Sequence, residues 1–164
     1  GMWASSYMVA VRGIDAQTAA SWAAVFYVGI TAGRFLCGFI ADKLGDRVMV
    51  RLGQGMAALG AVLMLLPLPK EGAFAGLLLI GLGCAPVYPC MLHQTPKNFG
   101  ADHSQALMGL QMACAYVGST LMSPLFGVLA GVVSLALYPV YLLLIAVTMF
   151  LLMERVNRIV REKN

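Results

Sequence analysis

Arg34 stands in a stretch from residue 18 to residue 41 that is otherwise uncharged. A cation inside so apolar a segment needs a partner, a wet cavity, or a short reach to a polar surface. Tyr27, Thr31, Arg34 and Gly38 recur at helical spacing and share one face. Gly29 and Gly33 point roughly the other way, where small residues let helices approach closely. Tyr27, Thr31 and Arg34 are therefore candidates for a polar pathway that handles a small solute.

Four further groups carry chemistry. Pro86 and Pro89 flank Tyr88. Each proline removes a backbone donor and disturbs the carbonyl four residues earlier, at Leu82 and Ala85. A bend is expected there, with Tyr88 a candidate solute contact. Gln111 shares a helix face with Ala115 and Gly118, while Tyr116, Ser119, Thr120 and Ser123 form another. Gln111 and Tyr116 are candidate solute contacts or interhelical glue. Trp3 and Tyr7, four residues apart, suit an aromatic wall or an interfacial belt. His93 reads as interfacial.

The remaining signals are negative. Cys37, Cys84, Cys90 and Cys114 lie in apolar stretches and read as small packing residues. No metal, cofactor or disulfide is expected. No nucleophile–base set, phosphate loop or carboxylate pair is present, so an enzyme is not supported.

The elements that must position these residues follow from composition. Of 164 residues, 60% are hydrophobic and 11% charged, and the mean hydropathy is +0.83. A soluble domain carries about a quarter charged residues. This balance excludes a soluble enzyme, a disordered chain and a disulfide scaffold, and leaves an all-α polytopic transmembrane bundle in a lipid bilayer. Crossing a bilayer takes about 20 helical residues. Five complete helices are expected near 18–41, 52–68, 73–94, 104–131 and 135–153, after a partial one at about 1–11. The N-terminus does not read as a signal peptide; it reads as a helix that has been cut into. Residues 42–52 read as a charged loop, and Pro96 and Gly100 as helix breakers. From Gln105 to Met153 there is no charge over 49 residues. A single helix of that length would run about 73 Å, so it must turn, most readily at Gly131–Ser134.

Lys43, Arg47, Arg51, Lys97, Arg155, Arg158, Arg161 and Lys163 fall on one side of this arrangement; Arg12 and Lys70 fall on the other. The positive-inside rule makes the first side cytoplasmic, with the tail 154–164. The cell membrane is the expected location, the basic pI needs no nucleic acid, and the C-terminus is inside.

Gly38, Asp42, Gly45 and Arg47 stand at the spacing G-x-x-x-D-x-x-G followed by a basic residue. The pattern resembles the loop signature of major facilitator superfamily transporters, which follows the second helix of each six-helix half. Gly38 would admit a neighbouring helix. Asp42 would accept from amides at a helix N-terminus, Gly45 would turn the chain, and Arg47 would bridge to Asp42, forming a conformational latch. Asp46 departs from the family pattern, which has a basic residue there, and would soften the latch. Residues 1–7 resemble the end of the seventh helix of fucose-permease-like members, and Gly81–Pro89 their tenth.

The resemblance implies the C-terminal half of a transporter, over residues 1–164. Its function would be secondary transport of a small polar, sugar-like solute by alternating access. The partner would be a missing N-terminal half. Alternatives are a free-standing half pairing with a second copy of itself, a transport-dead assembly or regulatory subunit, and an efflux carrier for amphipathic compounds. No Asp or Glu lies inside an expected span, so a symporter's titratable group would lie elsewhere.

Overall fold

The computed structural model describes residues 2–67 and 69–163; for residues 2, 41, 42, 101, 102 and 161–163 it describes the backbone only. Among the described residues the structure is all helical. The elements are α1 (Met2–Arg12), α2 (Ala16–Leu44), α3 (Asp46–Leu65), α4 (Lys70–Cys84), α5 (Val87–Phe99), α6 (Ala101–Val132) and α7 (Tyr138–Lys163), with one 3₁₀ turn at Leu135–Leu137. Five stretches are long and apolar enough to cross a membrane: Ala16–Ile40, Asp46–Leu65, Lys70–Phe99, His103–Val132 and Leu135–Val160.

Hydropathy located the spans, and capping chemistry moved their ends. Asp15 starts α2 by accepting from the backbone N–H of Gln17 (3.1 Å) and Thr18 (3.3 Å), as an N-cap does. The expected charged loop at 42–52 is a correction. Gly45 alone separates α2 from α3, and Asp46, Arg47 and Arg51 lie on α3. Gly45 has φ +77°, a left-handed conformation that only glycine adopts freely. It lets the chain reverse in one residue, and Asp46 then stands in the first helical turn, where the dipole favours an anion.

Pro96 is a second correction, because it lies inside α5. The helix continues to Phe99 and stops at Gly100, whose φ is +81° and whose N–H donates to the Pro96 carbonyl at 3.0 Å. Residues Glu154 to Lys163 are helical, as the end of α7. The turn expected at Gly131–Ser134 is present. There Ser134 Oγ accepts from the Ala136 N–H at 3.1 Å and starts the 3₁₀ turn.

The expected bend in the third long span is present as an interruption of the hydrogen-bond ladder, while Ala85 (φ −58°, ψ −49°) and Pro86 (φ −77°, ψ −21°) both keep right-handed helical backbone angles. Ala85 and Pro86 divide Lys70–Phe99 nearly in half, into α4 and α5. Pro89 falls in the first turn of α5, where backbone N–H groups have no intrahelical partner, so it removes no hydrogen bond there. The first closing bond of α5 runs from the Cys90 N–H to the Pro86 carbonyl at 3.1 Å.

Helix α4 is clamped between α2 and α3 through glycines. A Cβ on Gly33 would stand 2.5 Å from Ala85 Cβ and 3.1 Å from the Leu82 carbonyl; one on Gly29 would stand 2.8 Å from the Leu78 carbonyl. On the other face, a Cβ on Gly60 would stand 2.6 Å from the Gly76 carbonyl. Lipid gives apolar helices no solvent-driven reason to associate, so close backbone approach supplies the attraction. One core cluster gathers Tyr7, Met8, Met64, Leu77, Ile80, Phe126 and Tyr138; a smaller one, toward the Gly45 end, holds Met49, Val50, Val87, Cys90 and Met153. The outer faces of α2 and α6 are apolar and largely unburied.

Candidate functional site

The interruption in Lys70–Phe99 organises the first region. Tyr88, one residue into α5, lies between two cavities. One, of about 290 Å³, is lined by Tyr88, Met91, Gln111, Cys114, Ala115 and Met149. The other, of about 250 Å³, is lined by Gln54, Ala57, Ile80, Cys84, Tyr88 and Met149, among others. Val87, Tyr88 and Met149 belong to both.

The two glutamines differ. Gln111 Nε2 donates to Thr95 Oγ1 at 3.0 Å, and that hydroxyl donates to the Met91 carbonyl at 3.0 Å. Gln111 thus joins α6 to α5 while its flank faces the cavity. Gln54 is 4% exposed, and neither amide atom has a hydrogen-bond partner among the described residues. A buried amide without partners carries a desolvation penalty of about 1–3 kcal/mol, and both of its polar atoms are sealed from the cavity surface. Sequence reasoning missed Gln54. The available signal was an amide inside the apolar run 53–68, the same signal that singled out Gln111.

The second region lies at the Gly45 end. A cavity of about 350 Å³ is lined by Arg34, Cys37 and Gly38 of α2, Asp46 of α3, and Pro89, Cys90 and His93 of α5. Arg34 is exposed and makes no hydrogen bond or ion pair among the described residues. Asp46 has a side chain only 10% exposed; it accepts from His93 Nδ1 at 2.9 Å and from Lys97 Nζ at 3.0 Å. Arg47 donates to Asn98 Oδ1 at 3.4 Å. Asp46, expected to soften a latch, is the hub that ties the start of α3 to α5. His93 is part of that tie rather than an isolated interfacial ring.

The other latch residues are placed differently from one another. Gly45 makes the turn. Gly38 has open space where its Cβ would be, so no helix of this chain approaches it. The side chain of Asp42 lies outside the described residues. Arg51 and Glu154 join α3 to α7 by a two-pronged pair, with contacts of 2.6 and 3.1 Å.

Trp3 and Tyr7 do not form an aromatic wall on a cavity, which corrects that expectation. Trp3 Nε1 donates to the Ser123 carbonyl at 3.0 Å, and its ring lies against Gly127. Tyr7 is 3% exposed and donates to the Met64 carbonyl at 3.0 Å. Arg12 donates to the Met64 and Leu66 carbonyls at 2.6 and 2.7 Å. Those carbonyls end α3 and have no intrahelical partner, so Tyr7 and Arg12 satisfy a helix terminus. Tyr27 and Tyr116 stand on the outward faces of α2 and α6, at 56% and 74% exposure. Thr31 donates back to the Tyr27 carbonyl at 3.0 Å. The chain thus brings Tyr88 together with Gln111, and Arg34 with Gly38, and leaves Tyr27 and Tyr116 without a cavity of their own.

A family model described as Major Facilitator Superfamily matches residues 1–163. Membrane protein MosC of Rhizobium meliloti is 24% identical over 133 residues, a match covering 81% of this chain and 32% of that protein. The chain thus spans about a third of that relative's length. No solved structure matches the chain. A match over nearly the whole length, on five apolar spans joined by short connections, places this multi-pass membrane protein in the Major Facilitator Superfamily, a family of transporters.

Proposed function

We propose that the chain supplies the C-terminal half of a secondary transporter that moves a small polar, sugar-like organic solute by alternating access. One observation carries the reading: the third span is interrupted at Ala85–Pro86, and Tyr88, just past the interruption, lines two cavities, one of which has Gln111 in its wall. Discontinuous helices near the bilayer midplane are a recurring way to build a solute site. The Tyr88 and Gln111 side chains suit hydroxyl-rich solutes, which both donate and accept.

Arg34, on the wall of its cavity, serves the cytoplasmic half of the pathway, and the Asp46–His93–Lys97 cluster holds α3 to α5 on that side. The excess of basic residues at this end supports placing it in the cytoplasm of a cell-membrane protein. The outward apolar faces of α2 and α6, with Tyr27 and Tyr116, meet the other half of the transporter; a second copy of this chain is the alternative occupant.

The test is uptake by the full-length protein in proteoliposomes, screened against a panel of sugars and polyols. Tyr88→Ala and Gln111→Leu should each lower kcat/KM at least tenfold for the solute carried. Arg34→Leu should lower kcat with less effect on KM. Wild-type rates in all three variants would refute the proposal.

A further inference from the structure

A further recess takes no part in that pathway. It has a volume of about 800 Å³, lies between α3 and α7, and is lined by Arg47, Arg51, Leu151, Glu154, Arg155, Asn157 and Arg158. Among the described residues four arginines and one carboxylate line it; Arg47 also donates to Asn98, and Arg158 has an interaction of its own. That carboxylate is held by Arg51 in a pair whose side chains are about half exposed, at 50% and 46%. Such a pair is weak and solvated, and it leaves the recess strongly cationic.

Two features go beyond a general excess of basic residues at one membrane face. Topology signals require arginines only on the correct side, whereas these converge on one recess from two helices. Asn157, in its wall, is 7% exposed, and its carbonyl oxygen Oδ1 has no hydrogen-bond partner among the described residues. A buried acceptor beside a cluster of guanidinium groups suits a ligand that brings both an anion and a hydroxyl donor.

Position selects the source of that ligand. Arg155, Asn157 and Arg158 lie near the end of the apolar span that closes at Val160, and Arg47 and Arg51 near the start of the span that opens at Asp46. The recess therefore sits where hydrocarbon gives way to headgroups. One wall is Leu151, and Leu151 and Leu152 are 62% and 59% exposed on α7, a track on which an acyl chain would lie. The recess is amphipathic along the membrane normal, as a lipid is. We infer that it binds the phosphodiester headgroup of an anionic, hydroxylated phospholipid such as phosphatidylglycerol: the guanidinium groups take the phosphate and Asn157 Oδ1 accepts from a glycerol hydroxyl. Basic pockets between transmembrane helices are established headgroup sites in general.

The test uses the full-length protein in nanodiscs of phosphatidylcholine doped with phosphatidylglycerol, with retained lipid counted by native mass spectrometry after release into detergent. Wild type should retain phosphatidylglycerol over phosphatidylcholine. Arg155→Gln should weaken that preference about fivefold, from the roughly 1 kcal/mol that each basic residue adds at an anionic surface. Arg155→Lys should restore most of it. Asn157→Val should reduce the preference for phosphatidylglycerol over phosphatidic acid, which lacks the glycerol hydroxyls, and leave the charge dependence intact. Retention without lipid preference overturns the inference, as does a preference indifferent to Arg155→Gln. A separate arm adds soluble glycerol 3-phosphate at millimolar concentration; if it displaces the lipid and binds equally in pure phosphatidylcholine discs, the site belongs to a free phosphate and the lipid assignment fails.

Discussion

Gly55 and Gly60 lie on the same helix and offer a matched pair. A Cβ added at Gly60 would stand 2.6 Å from the Gly76 carbonyl and 3.0 Å from the Ile80 amide nitrogen, both backbone atoms of α4; one added at Gly55 meets nothing within 4 Å. In both cases alanine improves helix propensity by about 0.8–1 kcal/mol. At Gly60 that gain is opposed, because α3 and α4 must part by most of an ångström. Overpacking of this kind costs about 1–3 kcal/mol. Since the propensity gain is common to both, the difference between Gly55→Ala and Gly60→Ala isolates the close approach. That difference should be about 1–3 kcal/mol, or roughly 2–12 °C in Tm at 2–4 °C per kcal/mol. The assay is thermal unfolding of the full-length protein in detergent, followed by circular dichroism. Gly55→Ala should match or exceed wild type, and Gly60→Ala should fall below it. Equal midpoints for the two variants would show that α3 and α4 are not held by backbone proximity.

Asp46→Asn removes the charge that holds His93 and Lys97. It should destabilise by about 1–2 kcal/mol, since charge-assisted hydrogen bonds contribute about 1.5–3 and both partner side chains are more than half exposed; faster amide exchange across residues 87–99 checks it. Tyr7→Phe should cost about 0.5–1.5 kcal/mol in thermal unfolding and leave KM unchanged, whereas a large KM increase would return Tyr7 to the pathway. A membrane-permeant maleimide should label Cys114, exposed on its cavity, well before Cys90, which is 5% exposed. The transported solute should slow labelling at Cys114, and equal labelling rates at the two thiols would contradict the packing described.

The spans and the turn at Gly131–Ser134 were legible because the bilayer demands a long uncharged run and glycine and serine interrupt it. The Gly29/Gly33 seam was legible because helical spacing puts both on the face opposite Arg34. Asp46 was misjudged because its partners, His93 and Lys97, lie on α5, about fifty residues on, and no local spacing displays them. Trp3 and Tyr7 were misjudged because their partners are backbone carbonyls, which no side-chain pattern displays. The start of α3 was missed because hydropathy registers charge, whereas helix formation at Asp46 and Arg47 depends on the single glycine before them.

That single glycine also bears on how the protein is made. With only Gly45 between α2 and α3, the ribosome delivers the second crossing with no pause after the first. At about 5–20 residues per second, the 20 residues of α3 emerge within about one to four seconds. The two helices must enter the bilayer as a hairpin, because neither has slack to wait for the other. A side chain at Gly45, whose φ of +77° and ψ of +151° fall in a region essentially reserved for glycine, would meet strain of about 1–3 kcal/mol at that moment. Its effect should be seen first as lost membrane insertion, before any transport step is reached.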